Sequence, residues 1–163
     1  MIKKLTNIFI FSIFLIHASC GFKVVNNEQR VNFKIKEIIT KGDKRINFKI
    51  KNNLNIFLNN ENKNIILVKI ETDKDKTIKE KNIKNEITKY QITINTTVTV
   101  NNIRNGSKNI DTLIETGSFS VSKNNSTTLS NEKKLIDNLA DQLSEQIVEN
   151  IQRKLNDNLE LFN

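Results

Sequence analysis

The chain has 163 residues and a net charge of +8, from 26 Lys plus Arg against 18 Asp plus Glu, with no Pro, no Trp, four Gly and a single Cys. A lone cysteine excludes a disulfide-stapled scaffold, which needs an even number, and the length suits one ordinary domain able to bury its own core. Asn, Lys and Ile dominate, which reads as AT-biased coding, so the Asn richness is not taken as a prion-like tract.

Chain order begins with a targeting segment. Lys3 and Lys4 precede residues 8–22, IFIFSIFLIHASCGF, an apolar run interrupted by Ser12 and followed by Ala18, Ser19 and Cys20. A positive start, an apolar stretch well short of the ~20 residues of a membrane span, and small residues at the end are the layout of a cleaved secretory signal. A cysteine directly after the small pair resembles the lipobox of bacterial lipoproteins, although His17 stands where that family usually has Leu. The resemblance implies that residues 1–19 are removed, that Cys20 becomes the acylated N-terminus, and that residues 20–29 tether a single domain of residues 30–163. Two or more acyl chains give stable anchoring where one is marginal. Gly21 rather than Asp after the cysteine favours the outer membrane, with the body on the periplasmic side. Losing Lys3 and Lys4 leaves about +6 on the mature chain. Such a balance suits anionic partners such as lipid headgroups, phosphorylated glycolipid or an acidic protein surface. No nucleic-acid partner is expected behind a secretory leader.

Residues 30–38 alternate, with Val31, Phe33 and Ile35 on one side and Asn32, Lys34 and Lys36 on the other, and predict a half-buried strand ended by Lys41-Gly42-Asp43. From Arg45 the period changes. Ile46, Ile50, Leu54, Phe57 and Leu58 predict an amphipathic helix over residues 45–59, capped by Asp43. Residues 65–72 predict a second strand with Ile66, Val68 and Ile70 on one face, and the charged DKDKTIKEKNIK of residues 73–84 reads as a strand extension or loop. The strongest strand is 90–100, YQITINTTVTV. It sets Tyr90, Ile92, Ile94, Val98 and Val100 against Gln91, Thr93, Asn95, Thr97 and Thr99. Asn105-Gly106 marks a turn, and residues 110–121 return as its partner, with Leu113, Phe119 and Val121 on one face and Gly117 read as a bulge. After a polar loop at 124–128, Ser130 is the expected cap of a helix over 131–155. Its stripe is Leu135, Leu139, Leu143, Ile147, Ile151 and Leu155, and 156–163 are expected to fray.

The predicted fold is α/β of the α+β type: a two-layer sandwich in the order β-α-β-β-β-α, with a mostly antiparallel four-stranded sheet and two helices packed on one face. The opposite sheet face is Thr, Asn and Lys, and must meet water or a polar partner.

Catalytic chemistry finds few candidates. His17 falls in the leader, so the mature chain has no His and no Ser-His-Asp or Cys-His arrangement. The sequence holds neither a zinc-ligand cluster nor a glycine-rich phosphate loop. Glu132, Asp137, Asp141 and Glu145 alternate with Lys133 and Lys134 as a solvated helix face. No enzyme, metal or cofactor is expected. Lys74, Lys76, Lys79, Lys81 and Lys84 cluster before the long strand among Asp73, Asp75, Glu80 and Glu86. They can act as a solvated edge that discourages sheet pairing or as ammonium groups for lipid phosphates.

The whole pattern resembles the LPS-assembly outer-membrane lipoproteins, the LptE family. The residues that carry the likeness are Cys20-Gly21-Phe22 after the leader, the Tyr90-led strand, the return with Gly117-Ser118-Phe119, and the closing helix from Asn131-Glu132 to its QRKL. That resemblance implies a partner, the outer-membrane β-barrel of the LptD type that inserts lipopolysaccharide. It also implies direct lipopolysaccharide binding, with Lys81, Lys84 and Lys133 as candidates. Lys84 falls near a basic position of relatives, whereas Leu129 occupies another, with Lys133 the nearest substitute. An auxiliary lipoprotein of a phospholipid-transport ABC system, and a lipid-anchored structural protein without a ligand, are the alternatives.

Overall fold

The computed structural model describes residues 32–59, 61, 62 and 64–160, so the leader, Cys20 and the tether lie outside the described residues. Its elements are β1 (Lys34–Gly42), α1 (Lys44–Leu54) with a 3-10 turn (Asn55–Phe57), β2 (Ile65–Lys81), β3 (Ile87–Asn102), β4 (Lys108–Ser120) and α2 (Asn125–Glu160). The sheet order is β1-β2-β3-β4; β1 and β2 are parallel and the other two pairs antiparallel. This is the expected α+β two-layer fold in the expected order.

The parallel pair forces α1 into place, because parallel neighbours need a crossover. β1 runs four residues past the expected end. A bulge between Ile35 and Glu37 slips its alternation, so that Ile38 joins Phe33 and Ile35 in the core. At its end Gly42 has φ +102°, and a Cβ there would lie 1.8 Å from the Thr72 carbonyl oxygen, so only glycine lets the chain leave the sheet here. Asp43 then caps α1 as predicted, its carboxylate accepting from the Arg45 N–H at 3.0 Å and the Ile46 N–H at 3.1 Å. The helix ends at Leu54 rather than Asn59. Phe57 and Leu58 still reach the core, through the tighter 3-10 turn, with the Phe57 ring 5.4 Å from Phe33.

One apolar face of the sheet meets both helices. Ile66, Val68, Ile70, Ile92, Ile94, Val98, Val100 and Phe119 close on Ile46, Ile50 and Leu54 of α1 and on Leu139, Leu143, Ile147, Ile151 and Leu155 of α2. The two helices are tied side by side by Arg45–Asp137 and Lys49–Asp141, both at 3.1 Å. Asn53 adds bonds to Asp141 at 2.7 Å and Ser144 at 3.1 Å.

Three expectations are corrected. Gly117 makes no bulge, since β3 and β4 pair in unbroken register through it. It is instead a close approach: a Cβ there would lie 2.5 Å from a Leu135 methyl. The closing helix starts at Asn125, not 131, so Ser130 is interior and the start is marked by Asn124, which accepts from the Ser126 N–H at 2.9 Å. It also runs to Glu160, through residues expected to fray. Its first six residues have no apolar stripe, only the exposed Leu129; it forms there because the Ser122–Thr128 contacts hold the chain as it leaves β4.

Candidate functional site

The site candidate is the far half of the β2–β3 hairpin. β1 stops where Gly42 pairs with Thr72, so from Asp73 onward β2 has a neighbour on one side only. The charged segment is thus a strand extension, and its free edge carries residues that discourage sheet-to-sheet pairing.

Alternation assigns its lysines. Lys74 and Lys76 lie opposite Ile94 and Ile92, on the helix side of the sheet. Lys74 reaches Asp43 at 3.1 Å. Burial raises the Asp43 carboxyl, but the Ile46 and Arg45 N–H groups and the Lys74 ammonium together outweigh it and hold the group below its ordinary value. Lys76 closes the core end. Its Nζ sits 4.5 Å from the Tyr90 ring centre and 5.1 Å from that of Phe119, and donates to Glu132 of α2 at 2.7 Å. Tyr90 and Phe119 stack with centres 5.7 Å apart. The apolar stem of Lys76 covers this pair while its head stays paired, the way long cations finish an apolar edge. Lys79 donates to the Ser118 hydroxyl at 3.3 Å, and Lys89 pairs with Glu80 at 3.0 Å.

Beyond them is the tip. Asn82 organises it: its side-chain carbonyl accepts from the Lys84 N–H at 2.9 Å and the Glu86 N–H at 3.0 Å, and its amide donates to Glu86 at 2.7 Å. Asn85 takes the left-handed conformation, φ 63°. Ile83 sits in this turn, wholly exposed, between Lys81 and Lys84. Among the described residues, neither of these two ammonium groups has a salt bridge. The tip is therefore two free cations flanking one apolar side chain, held by a turn that uses no lysine.

Lys133 is exposed on α2, next to the Glu132 that Lys76 fixes to β2. The five-residue rise from Lys76 to Lys81 puts the tip roughly 17 Å further along, so the structure joins Lys81 with Lys84 and leaves Lys133 apart. Leu129 lies inside the second turn of α2 rather than before the helix. Ile83 was the residue not foreseen as part of the site; its place between two lysines in an Asn-rich turn was the available signal.

The open sheet face is the second candidate surface. Thr93 and Thr116 share a hydroxyl–hydroxyl bond at 3.1 Å, and Thr97 lies opposite Thr112. Half of the pattern was visible in β3; β4 adds Ile110 and Ile114, opposite Thr99 and Asn95 and both exposed, so the face is Thr-rich with an aliphatic stripe rather than wholly polar. Glu71, Asp73 and Asp75 of β2 border it. Among the described residues, no helix is long and apolar enough to cross a membrane.

The arrangement defines a class: a two-layer α+β domain with one helix-covered face, one open face and a projecting basic hairpin. Solved structures share the fold. Rare lipoprotein B from Shewanella oneidensis superposes with a TM-score of 0.58 at 8% identity, covering 76% of this chain and 98% of its own. The uncharacterized lipoprotein B from Nitrosomonas europaea superposes with a TM-score of 0.57 at 10% identity, covering 80% and 91%. At these identities the likeness is one of fold. No family model and no curated protein matches the sequence.

Proposed function

We propose that this chain is an outer-membrane lipoprotein, acylated at Cys20, which partners the β-barrel that inserts lipopolysaccharide and binds lipopolysaccharide at the tip of the β2–β3 hairpin. The observation that carries the reading is the tip itself, where Lys81 and Lys84 stand without ion pairs on either side of the exposed Ile83. A phosphorylated glycolipid offers phosphates for the two ammonium groups and acyl chains for the isoleucine between them. Lys133 belongs to a second contact on α2 at most. The leader and Cys20 support the anchor, and the fold likeness to proteins called lipoproteins supports it further. An uncovered four-stranded face invites pairing with something, and a barrel lumen is polar and wet enough to accept its threonines.

Affinity isolation of the tagged chain from detergent-solubilised membranes tests the partner. The expected co-purifying protein is a large outer-membrane β-barrel, and Thr97→Asp with Thr99→Asp should lower its yield while the chain itself stays folded. Recovery of an inner-membrane transport complex instead would move the assignment to phospholipid transport.

A further inference from the structure

The chain enters the domain at one end, far from the hairpin tip, and that end has features the core does not require. Five segments meet there. Lys34 N–H bonds the Asn64 carbonyl at 2.8 Å, the Asn64 amide bonds the Asn32 carbonyl at 2.8 Å, and Asn32 donates to Asn156 of α2 at 2.7 Å. The Phe33 ring lies tilted against Phe57 of the 3-10 turn after α1, and the Ile103 N–H of the β3–β4 turn bonds the Ile65 carbonyl at 3.0 Å. Three of these segments each show a large aliphatic side chain to solvent: Ile56 is 72% exposed, Ile103 45% and Ile65 36%. Single exposed apolar residues are ordinary, but three at one end, from three segments and both layers, give that end an apolar character. Arg104 and Lys108 flank Ile103 across the turn, both exposed and without a side-chain partner among the described residues. Glu61 in the α1–β2 loop is an opposing charge, while Asp111 is already paired with Lys154 at 2.5 Å.

We propose that this entry end is a membrane-contact surface: Ile56, Ile65 and Ile103 sit among the headgroups of the leaflet that holds the Cys20 lipid, with Arg104 and Lys108 against anionic phosphates. The proposal rests on the lipoprotein reading above. Its occupant follows from where the tether joins. Eleven residues lie between Cys20 and Asn32, a reach of at most about 40 Å, and Asn32 is part of this end. Strand rise puts the hairpin tip roughly 55 Å away. The entry end is therefore the part of the domain that the anchor holds nearest the surface. Apolar side chains beside long cations suit an interface, where the cation stays in the headgroup layer and the aliphatic part goes below it. Near an anionic surface each basic residue strengthens the contact by about five-fold. The consequence is a fixed polarity, with the hairpin tip at the end of the domain opposite the anchored leaflet.

The chain has no Trp, so a single introduced one reports its own depth. The lipidated full-length protein is purified as Ile103→Trp and, separately, as Ile83→Trp, and placed in vesicles of phosphatidylethanolamine and phosphatidylglycerol with brominated acyl chains. Both sites are exposed, so the fold tolerates either change. The expected result is blue-shifted, quenched emission from Ile103→Trp and unquenched emission from Ile83→Trp. Adding Arg104→Glu and Lys108→Glu to the first variant should cut its quenching several-fold, as should high salt. Emission from Ile103→Trp that stays unquenched in protein floating with the vesicles, or that matches Ile83→Trp, overturns the proposal. So does a blue shift that comes only when a purified barrel is added, which would make this end a protein interface. A chain that neither floats nor carries an acyl mass on its N-terminal peptide fails the lipoprotein reading itself, and the proposal with it.

Discussion

β2 is one strand with two characters. From Ile65 to Thr72 it lies between β1 and β3 and buries Ile66, Val68 and Ile70; from Asp73 to Lys81 it pairs with β3 alone, and none of its residues is buried. Pairing with β3 runs through both halves, so that ladder alone does not decide where stability sits. Cover does. The first half lies under α1 and beside β1, and its aliphatic side chains leave water. The second half runs past the end of β1, and its inward positions are filled by Lys74 and Lys76, which finish the core rather than form it. A hairpin arm of this kind keeps its shape while contributing little to global stability, which suits a segment that must stay available for a ligand.

The largest test of that contrast compares two isoleucines of the same strand and the same face. Ile70→Ala removes a fully buried side chain and should cost roughly 2–5 kcal/mol in a urea titration. Ile78→Ala, at a site 50% exposed, should stay within about 0.5 kcal/mol. Equal losses at the two sites would mean that the arm is part of the cooperative core.

The boundary between the halves comes next. Gly42→Ala forces a Cβ to within 1.8 Å of the Thr72 carbonyl oxygen at φ +102°, and should cost about 1–3 kcal/mol through strain at that position. The residue beside it gives a smaller and pH-dependent effect. Asp43→Ala removes the α1 cap and should cost about 1 kcal/mol at neutral pH. Asp43→Asn keeps a capping carbonyl and isolates the charge. Because the native carboxyl titrates below its ordinary value, its charge stabilises above the unfolded-state pKa, and that contribution is lost as pH falls through the native one. The gap between parent and Asp43→Asn should therefore narrow as an acid titration proceeds, and a gap that widened with acid would reverse the assignment.

These boundaries were unevenly legible. Periodicity located the four strands and both helices, because Ile66-Val68-Ile70 and the Leu135-to-Leu155 stripe each bury one face of a regular element. Asp43 was readable as a cap because its neighbours turn helical at once. Periodicity could not say that DKDKTIKEK continues a strand, because an arm without cover has no apolar alternation to read; only pairing with β3 defines it. Similarly, the first six residues of α2 have no stripe and depend on contacts with the end of β4. Gly117 was misread for a related reason. A glycine in a strand fits a bulge or a close approach equally well, and the Leu135 methyl across the layer is what chooses. Of the three basic candidates, Lys81 and Lys84 share one turn because they are near in sequence, whereas the place of Lys133 depended on where α2 crosses β2.

The smallest expected effect on stability is at the tip, and there a null result is informative only together with binding. Among the described residues Lys81 and Lys84 have no salt bridge to lose, and the turn is held by Asn82, whose bonds to Glu86 and to the Lys84 backbone do not involve either ammonium. Lys81→Glu with Lys84→Glu should thus move the urea midpoint by no more than about 0.5 kcal/mol. If the arm is the lipopolysaccharide contact, the same pair should lower lipopolysaccharide binding by the purified protein, and what binding remains should depend less on salt, because the removed contacts are exposed charges. Ile83→Ser, which leaves both charges, should weaken binding without changing its salt dependence, since the isoleucine meets acyl chains and not phosphates. Unchanged binding in both variants, with folding intact, would place the lipid contact elsewhere on the domain and leave the arm as a charged edge whose role is to keep the sheet from pairing with others.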